Sequence, residues 1–337
     1  MHRIQAGWAV SARSSFSFST AARVLVAAGL SVAFAGVAHA SCGSAFCSIN
    51  TDWGATTTGL NEGSTFDVRY ERIRQDQPRS GSDRVSVGAI PQHHDEVRTL
   101  NQNLVASFSH TFASGWGVSV TAPLVDREHL HLHHHGGAVI PEAWSFRELG
   151  DLRVVGRYQT FLPGTDAAPR IAGAFLGLKL PTGKTGAGNA SGAQAERTLQ
   201  PGTGTTDLIV GAIYHQQLAG SSAAWFAQAQ VQAPINEHDS FRPGAQLAVD
   251  LGYARPVTAR LSGLVQLNAL ARKRDRGANA ESQSSGGRSL FLSPGLSYKV
   301  GESWNVYGYY QVPLYQHVNG VQLTAERTVV VGVSTRF

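Results

Sequence analysis

The sequence predicts an all-β protein: a transmembrane antiparallel up-and-down β-barrel of about twelve strands, preceded by a cleaved signal peptide. Three observations predict it. Segments of strand length alternate between apolar and polar side chains along most of the chain, and the connections between them are short and long in turn. The last segment, 323–337, keeps this alternation up to an aromatic residue, Phe337. A period of two indicates strands with different surroundings on their two faces, and alternating loop length is typical of outer-membrane barrels.

Residues 1–40 have the three parts of a secretory signal peptide. Three arginines and no acidic residue come before an apolar run that ends at Ala38. The small residues Ala38 and Ala40 mark a cleavage site. Removing this segment lowers the formal net charge from +5 to +2, so the basic balance of the full chain does not indicate a nucleic-acid partner. The predicted organisation is a signal peptide at 1–40, a periplasmic segment at 41–63 and the barrel at 64–337.

Cys42 and Cys47 are the only cysteines in the sequence. Two thiols this close form a local disulfide in an oxidising periplasm, and this is the expected state. A metal-binding pair is the alternative, but the sequence has no third cysteine to complete such a site. Lipidation of Cys42 is a third interpretation. His39 argues against it, because a lipidation signal has an aliphatic residue at that position.

The first four predicted strands lie at 64–75, 96–113, 116–124 and 148–162. In each of them apolar and aromatic residues alternate with polar or charged ones, as a wall between lipid and a wet interior requires. Ser114 and Gly115 form a tight turn between the second and third strands. The other two connections, 76–95 and 126–147, are long and polar and are predicted to be loops.

Eight further strands repeat the pattern toward the C-terminus. Short turns that contain glycine or proline lie at 163–164, 219–220, 255–256 and 301–302, and longer connections lie between them. All short turns and both ends of the barrel then face one side, the periplasm. Tryptophans near strand ends, such as Trp116 and Trp304, fit interfacial girdles. The predicted strands are 170–181, 205–218, 223–235, 245–253, 257–272, 288–300, 303–316 and 323–337.

Two stretches in the middle of the chain carry a family resemblance. Residues 177–183 read GLKLPTG, and residues 199–208 read LQPGTGTTDL. Together they resemble a motif pair of the family named for the meta-pathway of phenol degradation. The resemblance implies an outer-membrane transporter associated with aromatic catabolism and implies no site residues. From the residues themselves, Pro181 ends a strand because it cannot donate to a ladder, and the glycines permit a loop to fold tightly toward the pore.

A histidine-rich tract in the connection 126–147 is the clearest candidate for metal chemistry. Neutral imidazole binds Zn, Cu or Ni, and an extended segment places alternate histidines on one face. Weak binding by a loop without a metal-related function and a packed or pH-responsive loop are the alternatives. The candidate ligands are His129, His131, His133, His134 and His135, and the predicted topology places His93, His94, His238 and His317 at the same mouth.

Charged residues on the faces opposite the apolar stripes are candidates to line a pore. Mixed charges and amides either line a polar channel and set its selectivity or form a packed network that closes a narrow barrel. A modest excess of cations favours anionic solutes. The candidates are Asp67, Arg69, Glu71, Asp151, Arg153, Arg157, Asp250, Arg260 and Lys299.

These features predict a passive outer-membrane channel or transporter for small molecules, with aromatic or anionic compounds as solutes. The alternative is a metal-binding surface protein that uses the histidine-rich loop, and Zn, Cu or Ni there is the one cofactor considered. No enzyme is expected, because the strand histidines His110 and His215 have no nucleophile elbow or HExxH motif beside them. The expected partners are the lipid of a Gram-negative outer membrane, small-molecule solutes, and the barrel-assembly machinery through the strand that ends at Phe337; nucleic acid is not expected.

Overall fold

The described chain folds into one antiparallel sheet that closes on itself. The computed structural model describes residues 49–51, 62–90, 95–135, 138–163 and 168–337, without the side chains of Asp95, His134 and His135. These residues contain fourteen strands and one 3-10 turn, Ser282–Ser284. The strands are β1 (Gly63–Ser80), β2 (Asp83–Arg84), β3 (Asp95–Thr111), β4 (Trp116–His135), β5 (Ala138–Leu149), β6 (Leu152–Leu162), β7 (Arg170–Leu180), β8 (Asp207–Gln217), β9 (Ala224–Pro234), β10 (Gln246–Pro256), β11 (Leu261–Arg272), β12 (Gly287–Val300), β13 (Trp304–Val318) and β14 (Val321–Arg336).

Twelve strands make up the wall of the barrel. β5 pairs with the C-terminal half of β4, and β6 pairs with its N-terminal half. β5 and β6 are therefore one strand interrupted at Gly150 and Asp151. The two-residue β2 pairs only with β1. Fourteen strands minus β2, with β5 and β6 counted once, give the predicted twelve.

The seam between β1 and β14 closes the barrel. Thr65 pairs with Arg336, and this register continues to Ser80 and Val321 with irregularities near Gln75. At the end of the seam the Ser64 N–H donates to the Phe337 oxygen (2.8 Å), and the Phe337 N–H donates to the Ser64 oxygen (3.0 Å). Closure leaves neither of these strands with an unpaired edge, so the prediction of a closing C-terminal strand is confirmed.

The strands flanking the histidine tract are longer than the sequence predicted. β4 reaches His135 and β5 begins at Ala138, so most of the predicted loop 126–147 is a strand hairpin. The physical reason is visible in the tract, where Leu130 and Leu132 alternate with histidines as a strand requires. β1 likewise continues to Ser80, into the loop predicted at 76–95.

The barrel is apolar outside and polar inside. Leu176 (60%) and Val210 (45%) are exposed on the outer face, whereas Asn101 and Asn268 are fully buried on the inner face. Trp116 packs against Tyr158 (5.1 Å between ring centroids) near the end with the short turns. Within the described ranges, no helix is long and apolar enough to cross a membrane. A closed antiparallel sheet with this exterior is the transmembrane barrel fold of the Gram-negative outer membrane, as predicted.

Candidate functional site in the lumen and outer mouth

A cavity of about 450 Å³ lies inside the barrel at the end with the short turns. This volume is large enough to hold many water molecules. Tyr307 donates to Asp67 Oδ2 (2.7 Å) and Arg157 donates to Thr111 Oγ1 (2.7 Å). Many serine and threonine side chains line the cavity, together with the charged residues Asp67, Arg157, Lys299, Glu302 and Arg336.

Buried amides and hydroxyls form a hydrogen-bonded belt on the inner wall of β10 to β13. Asn268 donates to Asp250 Oδ1 (2.8 Å) and accepts from Ser293 Oγ (2.7 Å). Gln311 in turn donates to Ser293 Oγ (3.0 Å). Because buried polar groups that satisfy one another are held in one arrangement, this part of the lumen is polar and well ordered.

Residues 49–51 lie inside the barrel. The Asn50 N–H donates to Gln266 Oε1 (3.1 Å), the Asn50 carboxamide donates to Gln228 Oε1 (2.9 Å), and Gln266 Nε2 donates to the Asn50 oxygen (2.8 Å). This placement concerns three residues of the segment 41–63, whose assignment to the periplasm stays a prediction. The inward amides of β9 and β11 explain the placement, because they offer hydrogen bonds to an extended backbone.

Ile49 adds an apolar contact to this anchoring. It is 7% exposed and packs in a cluster of inward-facing residues on several wall strands. The other members of the cluster are Phe226, Ala254, Leu264, Tyr307, Tyr309 and Val330. A side chain packed in this inward-facing cluster narrows the lumen at this level.

A buried ion-pair network lies at the interruption between β5 and β6. Lys179 Nζ is 2.7 Å from Asp151 Oδ2 and 3.5 Å from Asp207 Oδ1, and it donates to the Thr205 oxygen (2.8 Å). Asp151 also accepts from the Thr203 N–H (3.0 Å). Breaking a buried pair is far more costly than the pair is stabilising, so this network fixes 203–205 to the wall.

The two motif stretches meet at this network. Gly183 from the first stretch and Gly202 from the second touch backbone to backbone: a Cβ on Gly202 would lie 2.5 Å from the Gly183 oxygen. The Gly183 N–H donates to Asp151 Oδ1 (3.0 Å). Both glycines are therefore required by close approach, with one carboxylate binding the two stretches.

The connection between β7 and β8, residues 181–206, folds over the outer mouth and is termed here the mouth loop. Arg127 donates to the Leu199 oxygen, and the Trp144 indole donates to a backbone oxygen of the loop (3.0 Å). Leu199 (1% exposed) packs with Trp144 and with Leu323 of β14. The mouth loop thus contacts wall strands on both sides of the seam.

A group of carboxyl side chains joins the mouth loop to the loop 273–286. Burial, with the nearby Glu96 carboxylate, raises the pKa of Glu281 to about 8. Burial and the neighbouring Glu281 raise the pKa of Glu196 well above its ordinary value. Burial and the repulsion between the neighbouring carboxylates therefore favour a proton on at least one of the two side chains.

Eight of the nine predicted pore-lining residues lie on or beside the inner wall. Arg69 Nε is 2.8 Å from Glu71 Oε1, with Asp67 3.6 Å from Arg69 NH1, so the structure brings these three together. Asp151 pairs with Lys179, Asp250 with Asn268, Arg153 with Gln232 and Arg157 with Thr111, and Lys299 is exposed at the cavity. Arg260 lies instead in an exposed bend between β10 and β11, outside the wall strands.

Sequence reasoning missed several residues of the interior. Lys179 and Asp207 complete the network with Asp151, and Gln200 organises the mouth loop through hydrogen bonds to Ala187 and Ala195. All three stand in the two motif stretches, so a signal was present.

The histidine tract lies on the inner face of the β4–β5 hairpin. His129 and His131 are buried, and the His133 side chain is 31% exposed. Burial lowers the pKa of His129 to about 3, with the neighbouring His131 and Arg127 adding to the effect. The side chains of His134, His135, His93 and His94, and both cysteines, Cys42 and Cys47, lie outside the described part of the structure.

Glu142 of β5 lies opposite His131 in the hairpin register and completes a group of possible metal ligands. Its Oε2 is 2.7 Å from His133 Nε2 and 3.5 Å from His131 Nε2. Burial alone would raise the pKa of Glu142, but hydrogen bonds with His133, His131 and Asn189 outweigh it and lower the pKa. His238 and His317 lie elsewhere on the long-loop side, beside Asp239 and Ser82.

Ser64 and His110 share a hydrogen bond on the outer face of the barrel (Ser64 Oγ to His110 Nδ1, 2.9 Å). A serine nucleophile also needs donors for the developing oxyanion. The Ser64 N–H donates to the Phe337 oxygen in the seam and is not available for this role. His110 packs edge-on against Phe112 (4.5 Å), as a residue at a membrane interface does, while His215 is buried on the inner face.

The comparisons with known proteins agree with the fold. No family model and no curated protein matches the chain. The COG4313 outer membrane channel from Pseudomonas putida F1 is similar in structure, with a TM-score of 0.63 and 13% identity over 82% of this chain and 96% of that one. The NanC and KdgM porins align over 81% of this chain and 100% and 99% of theirs, at 12% identity and TM-scores of 0.43 and 0.40. The likeness to the COG4313 channel concerns the fold alone, and the resemblance to the phenol-degradation family stays a prediction.

Proposed function

We propose that the protein is a passive channel of the outer membrane for small solutes. The observation that carries this proposal is the polar inner face, which encloses a cavity of about 450 Å³ within an apolar exterior. A polar wall replaces part of the hydration of a solute that leaves bulk water. An energy-coupling element is not needed for this role.

Anionic and aromatic compounds are the solutes we propose. The cavity is lined by three cations, Arg157, Lys299 and Arg336, against the two carboxylates Asp67 and Glu302. Side chains of one tyrosine pair and of Trp304 also line it and offer ring faces to an aromatic solute. The charge excess is small, so anion preference is expected to be modest.

Planar-bilayer conductance of the refolded chain under a KCl gradient tests this proposal. The expected result is discrete steps with a reversal potential displaced toward that of chloride. Arg157→Gln removes one cavity cation and reduces this displacement, while Arg147→Gln, at a residue that pairs with Asp126 on the outer hairpin, leaves it unchanged. A correctly folded barrel without conductance steps would overturn the channel proposal.

We also infer that the barrel-assembly machinery recognises β14. Phe337, which is 70% exposed, follows directly on the strand, and Val329 and Val331 lie on the same outer face. Phe337→Ala is expected to lower the amount of folded barrel in the outer membrane, measured as the heat-modifiable band on a gel. Refolding in vitro, which lacks the machinery, serves as the control and should be unaffected.

A further inference from the structure

We propose that His131, His133 and Glu142 bind one divalent transition-metal ion at the outer mouth of the barrel. The sequence pointed to a tract of five histidines. The structure selects two of them and adds a carboxylate from the other strand of the hairpin. The proposal therefore concerns a folded site and not the composition of a loop.

The three possible ligand atoms form a small triangle. The two imidazole Nε2 atoms are 2.7 Å apart, and Glu142 Oε2 lies 2.7 Å from His133 Nε2 and 3.5 Å from His131 Nε2. A circle through three such points has a radius of about 1.8 Å, so an ion about 1 Å above their plane lies about 2.0 Å from each atom, which is the length of Zn–N and Zn–O bonds.

Regular tetrahedral angles require a small expansion of this triangle. Ligand atoms at about 2.05 Å from zinc and at tetrahedral angles are about 3.3 Å apart, so the two nitrogens must separate by roughly 0.6 Å. His133 is able to move by this amount because it is partly exposed near the end of the hairpin. His131 is held between Trp144 (4.6 Å between centroids) and His133 (4.3 Å).

Hydrogen bonds among the three ligand atoms satisfy them less well than a shared metal ion would. Two Nε2 atoms at 2.7 Å form a hydrogen bond only if one is protonated and the other offers its lone pair. The Glu142 carboxylate is an acceptor and competes for the proton on His133 Nε2. One N–H points well at a single acceptor, whereas a dication accepts a lone pair from all three atoms at once.

A second layer of contacts holds the carboxylate in place. Glu142 Oε1 accepts a hydrogen bond from Asn189 of the mouth loop (3.2 Å). Asn189 Oδ1 in turn accepts from the backbone N–H groups of Ser191 (3.1 Å) and Ala193 (3.0 Å). Such outer contacts orient metal ligands, and their loss commonly costs about 10- to 100-fold in affinity. The ion would therefore couple the hairpin to the mouth loop.

The donor set indicates the class of metal. Two imidazoles and one carboxylate suit Zn²⁺ and its neighbours Cu²⁺ and Ni²⁺, whereas Mg²⁺ and Ca²⁺ select oxygen ligands. The exposure of His133 (31%) and Glu142 (27%) leaves room for water on the solvent side. Three protein ligands with an open position describe a site that takes up and releases its ion.

Calorimetric titration of ZnCl₂ into the refolded chain, prepared without a histidine tag, tests the proposal. We expect one equivalent to bind. Glu142→Gln and His133→Ala should each weaken binding about tenfold or more, and Asn189→Ala should also weaken it. Cobalt(II) in place of zinc should give the visible absorption of a low-coordinate site, which the Glu142→Gln variant loses.

Two matched controls separate the site from general binding by histidines and carboxylates. Glu128→Gln changes an exposed carboxylate on the outer face of the same hairpin, and His238→Asn changes another histidine of the long-loop side; neither should alter the affinity. Heat-modifiable gel mobility verifies that each variant is folded. Equal zinc affinity of wild type, Glu142→Gln and His133→Ala, or no binding by wild type, would overturn the proposal.

Discussion

Gly202→Ala should release the mouth loop from the wall. A Cβ at this position would lie 2.5 Å from the Gly183 oxygen, 2.6 Å from the Gly183 carbonyl carbon and 2.7 Å from Asp151 Oδ1. Two of these atoms belong to the backbone, which cannot rotate away as a flexible side chain does. The mouth loop must therefore separate from the 183 backbone or strain it.

The expected cost follows from overpacking. Inserting a methyl group into a tight contact costs about 1–3 kcal/mol. If this cost falls on the packed loop, local opening becomes roughly 5- to 150-fold more frequent, since each 1.4 kcal/mol is a factor of ten. Loss of the hydrogen bonds from the Gly183 and Thr203 N–H groups to Asp151 places the effect in the upper part of this range.

Trypsin cleavage after Arg197 measures this opening. The Arg197 side chain is 13% exposed and donates to the oxygens of Thr185 and Thr203, so cleavage requires the mouth loop to open. When opening is fast and reversible, the cleavage rate follows the population of the open state. Gly202→Ala should raise the rate while the barrel stays folded.

Gly186→Ala is the matched control in the same loop. Its new Cβ would meet only the Gln194 side-chain nitrogen, at 3.7 Å, and its backbone is not left-handed. The cleavage rate of this variant should equal that of wild type. Equal rates for Gly202→Ala and wild type, or the same increase in both variants, would refute the close-approach reasoning.

Three further predictions concern other contacts. Asp151→Asn leaves Lys179 buried without its full counter-charge, at a cost of about 3–5 kcal/mol, and should lower the temperature at which the barrel unfolds on a heat-modifiability gel. Asn50→Ala removes a side-chain hydrogen bond of about 1 kcal/mol from the segment inside the lumen and should raise the mean conductance; an unchanged conductance would show that this segment does not limit the pore. Because the pKa of Glu281, about 8, lies above its ordinary 4.5, loop packing should weaken as pH rises between these values, by up to about 1.4 kcal/mol per pH unit, and Glu281→Gln should flatten the pH dependence of hydrogen exchange in 273–286.

The wall of the barrel could be predicted because its two faces meet different surroundings. Residues such as Tyr70 and Glu71 alternate between lipid and lumen, and this alternation is visible in the sequence. The alternation is weaker in the histidine tract, where only Leu130 and Leu132 mark the apolar face. The high polarity of the tract suggested a loop, whereas β4 continues to His135.

The site could be predicted only in part because it depends on register. Glu142 meets His131 because the hairpin pairs these two positions, and the sequence alone leaves that register open. Likewise, Asp151, at the interruption before β6, meets Lys179 of β7, and composition does not reveal this pair. Composition shows Lys179 as one more cation, yet it lies between two carboxylates and contributes no excess charge there.

The seam between β1 and β14 has a consequence for how the barrel assembles. Its residues come from opposite ends of the barrel sequence, so the seam forms only after every intervening strand has been placed. Contacts between distant segments form slowly, and until then β1 and β14 each present a long unpaired edge that fits the other. At this stage β1 of one chain can pair either with its own β14 or with β14 of a second chain. The last pairing to form is therefore the one at which strand exchange between chains competes with folding.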